Sequence, residues 1–467
     1  MGSVARKLGV LLCCLLSTSV VKADDLVSIL DLALENDPSL RQARAQYRAN
    51  RETVNQSRSA FLPTFGIGGS TTRQTSGLSD SEYVTFTNPV TGITETLRTD
   101  DHSFRPGINS HGWGFNLQQS IFNLTDWYTY QSARANDRAA AVNFAAQEQD
   151  LIMRVASAYF DVLRAIDMLE TNVQEEEAAL TSMQQTQRRE EVGLDTIIDV
   201  YDAQASYDLA RNTTILQQDI LQSRYEALEA LTGQPHPDVE ALREDFPVIN
   251  VDGSLEDWEG MAESNSLAIA SAQYSLEASK RTLDARKADH LPTAALTGSY
   301  RHFVTQPLRR EGLSIGGGAN DNTNLTLQLN IPLYSGGAIQ SRRRAAEFNV
   351  MAARESLELT KRQLTQNIRN AYRRVNTDVL VIAQRNQSIL SAQSALDQTT
   401  LGIEVGQRNI VELLRARENL FRALRQYADA RYNYVIDSLL LKQITGVLTP
   451  QDIIDLNEWL VAGESTR

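Results

Sequence analysis

Two charged segments hold the side chains best placed to do chemistry. In "VGLDTIIDVYDA" (192–203), Asp199 and Asp202 stand three apart, and in "VGQRNIVELLRA" (405–416), Glu412 and Arg415 keep the same spacing. On a helix, residues three apart share a face. One segment therefore presents two carboxylates, and the other a carboxylate and a guanidinium, with Arg408 one turn earlier. Such sets attract cations and form ion pairs. The remaining candidates are weaker. The five histidines, His102, His111, His236, His290 and His302, are scattered and show no H-E-x-x-H spacing, so no metal site is expected. "FGIGGS" and "SIGGGAN" are glycine-rich, but neither leads into a helix opening with Lys and Ser or Thr, so they read as packing or turn glycines and not as phosphate cradles. No catalytic residue and no cofactor is expected.

The chain begins with Arg6 and Lys7, continues through an apolar run from Leu8 to Val21, and reaches Val21-Lys22-Ala23, a small-residue cleavage site. Residues 1–23 read as a removable secretory signal, because those 14 apolar residues are too few for roughly 30 Å of hydrocarbon. The two cysteines, Cys13 and Cys14, fall inside it, and Leu11 and Leu12 before them are not the small residues that lipoprotein processing prefers. The mature chain is expected to start near Asp24, without lipid and without a thiol for catalysis. Loss of this segment removes three basic and no acidic residues, which moves the formal net charge from −13 to −16. Nucleic acid is therefore excluded as a general partner. No other stretch has 18 consecutive apolar residues, yet a β-barrel, whose strands alternate, remains open to an exported chain.

These charged segments recur because much of the chain does. "FLPT" (61–64) returns as "HLPT" (290–293) at an offset of 229. "AYFDVLRAIDML" (158–169) returns as "AYRRVNTDVLVI" (371–382), and Thr232-Gly233 as Thr445-Gly446, both at offset 213. The reading is a first repeat over 24–233, a linker over 234–260, a second repeat over 261–446 and a C-terminal segment over 447–467. No proline occurs from Gly107 to Gln234 or from Leu333 to Thr449, which predicts long helices. Val155, Tyr159, Val162, Ile166, Leu169 and Val173 follow coiled-coil spacing, and so do Ile368, Tyr372, Val375, Val379 and Ile382, with Asn386 as the departure. A helix from about Thr125 to Glu190 would run roughly 100 Å, which predicts an elongated object.

Between the helical parts the period changes to two. Leu325, Leu327, Leu329 and Ile331 alternate with polar residues, as do Trp113, Phe115 and Leu117. Thr64–Thr72 and Ala294–Val304 are the expected partners, and the linking stretches Arg73–Asn109 and Thr305–Asp321 read as solvated loops. Each half thus offers one hairpin of strands long enough to cross a bilayer when tilted. Four strands cannot close a barrel, and an open edge in lipid leaves unpaired backbone groups. Identical copies must complete it: two would make a filled eight-stranded barrel, three a twelve-stranded one with room for a channel.

In order and in duplicated layout, "LDLALENDPSLRQA", "LQQSIFNLTDW", "VGLDTIIDVYDAQASYD", "LNIPLYSGG" and "ARYNYVIDSLLLKQITGVLTPQDI" resemble the TolC-like outer-membrane efflux and type I secretion channels. The resemblance implies a membrane α+β fold: a homotrimeric 12-stranded β-barrel with four strands per chain, continued by a periplasmic α-helical coiled-coil barrel. Residues 235–260 and "TPQDIIDLNEWL" would form an equatorial collar. The two Val-Gly turns would be the periplasmic tips, where an adaptor (membrane-fusion) protein docks at Val192, Gly193, Leu194, Val405, Gly406 and Gln407. An inner-membrane RND, ABC or MFS transporter would supply the energy. Asp199 matches an acid of the closed-state network and Arg408 the basic residue that bonds it across neighbouring protomers; Glu412 matches the first of two pore-ring acids. The second ring acid is replaced by Arg415, an acid stands instead at Asp202, and Ile403 replaces a network tyrosine. The competing reading is a structural or adhesive coiled-coil surface protein without a conduit, which the heptads permit and the four strands oppose. A single-chain porin fails on strand number.

Overall fold

The computed structural model describes residues 24–75, 83–87, 91–98, 107–306, 308–310, 313–315, 317–405 and 407–461. The export signal expected over 1–23, the final residues 462–467 and Gly406 lie outside the described residues. In chain order the elements are α1 (Leu26–Asn36), α2 (Pro38–Ser59), β1 (Thr64–Thr75), β2 (Tyr83–Thr87), β3 (Thr94–Arg98), β4 (Gly107–Phe122), α3 (Leu124–Glu191), α4 (Ile197–Thr232), β5 (Ala241–Leu242), α5 (Leu255–Asn265), α6 (Leu267–Ala288), β6 (Thr293–Thr305), β7 (Leu308–Arg310), β8 (Leu313–Ile315), β9 (Gly318–Asn330), α7 (Ala338–Glu404), α8 (Ile410–Thr445), α9 (Pro450–Asn457) and β10 (Leu460–Val461).

The proline-free stretches become the long helices. α3 and α7 have 68 and 67 residues, and α4 and α8 have 36 each. Their ends are set by local chemistry. α4 and α8 both stop at a left-handed glycine, Gly233 (φ 79°) and Gly446 (φ 77°), a backbone conformation that residues with a Cβ rarely adopt. Between α1 and α2, the Asp37 carboxylate accepts the Leu40 N–H at 2.6 Å, and Pro38 opens the second helix, so the chain turns without losing a cap.

The chain forms two compact units, each drawing on both halves of the sequence. One takes in the chain up to Arg48, Ala139–Gln273 and the chain from Ser356 onward. Its core joins Leu26, Ile29 and Ala33 of α1 to Leu151, Val155, Tyr159 and Phe160 of α3, Ile368 and Val375 of α7, Val435 and Leu441 of α8, and Ile453 of α9. The heptad seam is buried at its start and fades along the helix: Val155, Tyr159 and Val162 are fully covered, whereas Val173 is 37% exposed. Tyr159, buried among these side chains, donates its hydroxyl to the Glu240 carbonyl at 2.7 Å, which satisfies the one polar atom it takes inside.

The second unit spans Ala49–Arg138 and Tyr274–Glu355 and is built on one antiparallel four-stranded sheet in the order β1-β4-β6-β9. The two expected hairpins are present as β1/β4 and β6/β9, and β4 pairs with β6 to fuse them. Among the described residues β1 and β9 have no second neighbour, so both edges are open. The linking stretches are not plain loops: each holds a short hairpin, β2/β3 and β7/β8. Alternation puts Phe65, Ile67, Trp113, Phe115, Leu325, Leu327 and Leu329 on one face, and all of them are exposed in the single chain. The opposite face carries Thr, Ser, Asn, Gln and Gly almost throughout. None of the described helices is long and apolar enough to cross a membrane.

Candidate functional site at the helix turns

The first turn is held by two side-chain devices. α3 closes with the Gly193 N–H on the Glu190 carbonyl and the Leu194 N–H on the Arg189 carbonyl, both at 2.8 Å, with Gly193 at φ 77°. Arg189 reaches over this turn and donates two hydrogen bonds to the Asp195 carboxylate, at 2.8 and 3.1 Å. Those bonds hold the Arg189 guanidinium above its usual range. Thr196 then caps α4: its hydroxyl accepts the Asp199 N–H, while the Asp199 carboxylate accepts from the Thr196 hydroxyl at 2.6 Å and from its N–H at 2.9 Å. The hydroxyl and backbone bonds from Thr196 lower the Asp199 carboxyl below the ordinary carboxylate value. Asp199 is therefore a capping residue within its own chain, with its charge still near solvent. Asp202, one turn on, is exposed.

The second turn uses the equivalent positions differently. Position 402, which offset 213 relates to Arg189, is Gly402, and position 408, related to Asp195, is Arg408. The Gln407 and Arg408 N–H groups donate to the Gly402 carbonyl at 2.8 and 3.1 Å. A Cβ on Gly402 would come within 2.5 Å of the Arg408 Cγ, so the absence of a side chain lets the arginine stem lie against α7. Its guanidinium donates to Glu412 at 2.9 Å, an exposed i,i+4 pair, and Asn409 caps α8 by accepting the Glu412 N–H. Glu412 is paired with Arg408 where its counterpart Asp199 completes a capping box.

Within one chain, Arg408 and Glu412 are the two of the five charges that pair among the described residues. Among the described residues no ion pair joins Asp199 to Arg408, or Asp202 to Arg415. Arg415 lines a groove of about 600 Å³ between α3, α4 and α8, together with Glu175, Leu209, Glu418, Phe421 and Arg425. In this groove Arg425 pairs with Glu175, and Arg417 donates to the Ala178 carbonyl at 2.6 Å. Of the expected docking residues, Val192, Leu194 and Val405 are strongly exposed apolar side chains, at 70%, 68% and 68%, with Gln407 exposed beside them; Gly406 lies outside the described residues. Arg189, Asp195 and Gly402 were missed in reading the sequence. The offset itself would have pointed to them, because a charge pair in one copy faces Gly and Arg in the other.

A family model described as "Outer membrane efflux protein" matches residues 29–234 and 258–447. Outer membrane protein TolC of Vibrio cholerae serotype O1 is 32% identical over 455 residues, covering 95% of each chain. Alkaline protease secretion protein AprF of Pseudomonas aeruginosa is 25% identical, covering 93% of this chain and 87% of that protein. Among solved structures, the outer membrane protein VceC of Vibrio cholerae superposes with a TM-score of 0.70 at 19% identity, over 90% of this chain and 96% of its own, a likeness of fold.

Proposed function

Because this chain belongs to the outer membrane efflux protein family, we propose that three copies close one twelve-stranded barrel in the lipid and continue it as a helical tube through the periplasm. The protein is an outer-membrane exit duct for efflux and type I secretion. The observation that supports closure by further copies is the sheet of the second unit, with four strands, one apolar face, one polar face and, among the described residues, two open edges; three copies are proposed because twelve strands leave room for a channel where eight do not. Three such sheets joined edge to edge satisfy every backbone group and enclose a polar lumen, which four strands in lipid cannot do. A coiled-coil fibre without a conduit would leave that apolar face without a purpose.

The helix turns then serve as the periplasmic gate. Arg408 of one protomer bonds Asp199 of its neighbour in the closed state, and Asp202 and Arg415 form an added pair, with Glu412 ringing the opening. Both Arg408 and Asp199 already have intrachain partners, and both are close to solvent, so each crossing contact exchanges one exposed bond for another. Exposed pairs contribute about 0.2–1 kcal/mol, so the latch is weak by construction. An adaptor seated on Val192, Leu194 and Val405 overcomes it by preferring the open arrangement, and an inner-membrane transporter of the RND, ABC or MFS type supplies substrate and energy. The duct itself performs no bond chemistry.

Particle images of the detergent-solubilised protein, combined with current recordings in planar bilayers, test this reading. Threefold symmetry and discrete ion-conducting steps are expected. A monomeric particle, or a bilayer without current, would refute it.

A further inference from the structure

The polar face of the four-stranded sheet carries a single charged residue among the described positions, Arg301 of β6. Its surroundings are arranged for it. The register places Arg301 opposite Gly114, Gly114 opposite Gly68, and Asn322 on its other side. A Cβ on Gly114 would lie 2.5 Å from the Tyr300 carbonyl oxygen and 3.3 Å from the Arg301 Cα, while one on Gly68 would meet nothing within 4 Å. The two glycines therefore leave a floor without side chains next to the guanidinium. The result is a concavity of about 650 Å³ whose polar side chains on this face are Ser70, Asn116, Ser299, Asn320, Asn322 and Arg301, with Phe303 beside them. These groups offer N–H and O–H donors and no carboxylate. Arg301 is exposed and has no ion-pair partner among the described residues.

We propose that this concavity is an anion site in the barrel lumen, with Arg301 as its selecting residue for phosphate, sulfate or carboxylate groups on a passing solute. The inference rests on the three-copy barrel with the polar faces inward, which repeats Arg301 as a ring of three guanidiniums. A planar guanidinium flanked by amides and hydroxyls pairs with tetrahedral or planar oxyanions through charge-assisted bonds. A ring of one sign in a narrow lumen concentrates the opposite ion.

Side-specific block in planar bilayers tests the proposal, with inorganic triphosphate added to the loop side of the oriented full-length channel. Wild type, Arg301→Gln and Arg301→Lys are compared, each first shown to form the same trimer. The wild-type current is expected to fall with triphosphate. Arg301→Gln should lose at least about tenfold in blocking affinity and shift its reversal potential toward greater cation preference, while Arg301→Lys keeps the charge and most of the block. A conducting wild type that triphosphate does not block, or equal block in wild type and Arg301→Gln, overturns the anion site and leaves the duct standing. A wild type that carries no current at all overturns the duct reading, and the ring with it.

Discussion

Replacing Asp378 by asparagine should make the protein more stable at neutral pH, although it removes a charged residue from a long helix. Asp378 of α7 faces Asp437 of α8, whose carboxylate takes the Arg374 guanidinium at 3.1 Å. One Asp378 oxygen is buried and has no hydrogen-bond partner. Burial first, then the charge of Asp437 and the bond to it, raise the Asp378 carboxyl from 3.8 to about 6, with Arg374 opposing. A carboxyl that holds its proton more tightly when folded destabilises the fold once the pH is high enough to remove it. Below about 4 both states are protonated and nothing is lost; stability then declines as the pH rises through the window to about 6, and above that the whole penalty is present. At roughly 1.4 kcal/mol per unit the ceiling is about 3 kcal/mol per protomer, and partial solvent access reduces it to about 1–2 kcal/mol. Asparagine has no charge to bury, and its NH₂ can donate to Asp437. Scanning calorimetry of the detergent-solubilised protein should therefore show Asp378→Asn melting a few degrees above wild type at pH 7.5, with the gap closing toward pH 4.5, at about 2 °C or more per kcal/mol. A variant that melts lower at pH 7.5, or a gap independent of pH, would refute the carboxyl-pair argument.

Two further outcomes follow from the turns and the helix ends. Arg408→Ala should raise single-channel conductance: losing three crossing contacts shifts the closed–open balance by roughly 3- to 150-fold, and unchanged conductance would count against the latch. Gly446→Ala should cost at least about 3 kcal/mol, because a Cβ there is strained at φ 77° and collides with the Asn265 carbonyl, whereas Gly233→Ala, with its nearest neighbour at 3.8 Å, should cost only about 1 kcal/mol. Denaturant or thermal unfolding of the two variants side by side checks the contrast, and equal losses would remove the collision from the account.

Much of this architecture is legible in the sequence. The proline-free stretch placed one helix at about 125–190, and α3 runs from 124 to 191, because backbone propensity and the lack of breakers are local properties. The two long hairpins are readable from period-two alternation for the same reason. The pairing of β4 with β6 was not, since nothing in either strand names its neighbour across 170 or more residues. The short hairpins β2/β3 and β7/β8 lie in polar stretches whose composition reads as loop. At the turns, the acids and Arg408 stood out by type and spacing. What each one bonds did not: Asp199 completes a capping box and Arg408 takes Glu412, choices fixed by caps and rotamers. The Asp378–Asp437 pair joins two helices and has no signature in either segment.

The unpaired borders of β1 and β9 also bear on how the protein is made. On the three-copy reading, a subunit lodged alone in hydrocarbon would strand two rows of amide and carbonyl groups, so recruitment of siblings would accompany entry into the bilayer. Once joined, no subunit can leave without exposing those rows again. Tagged and untagged chains should therefore mix when synthesised in the same cell, and stay segregated when finished particles are blended.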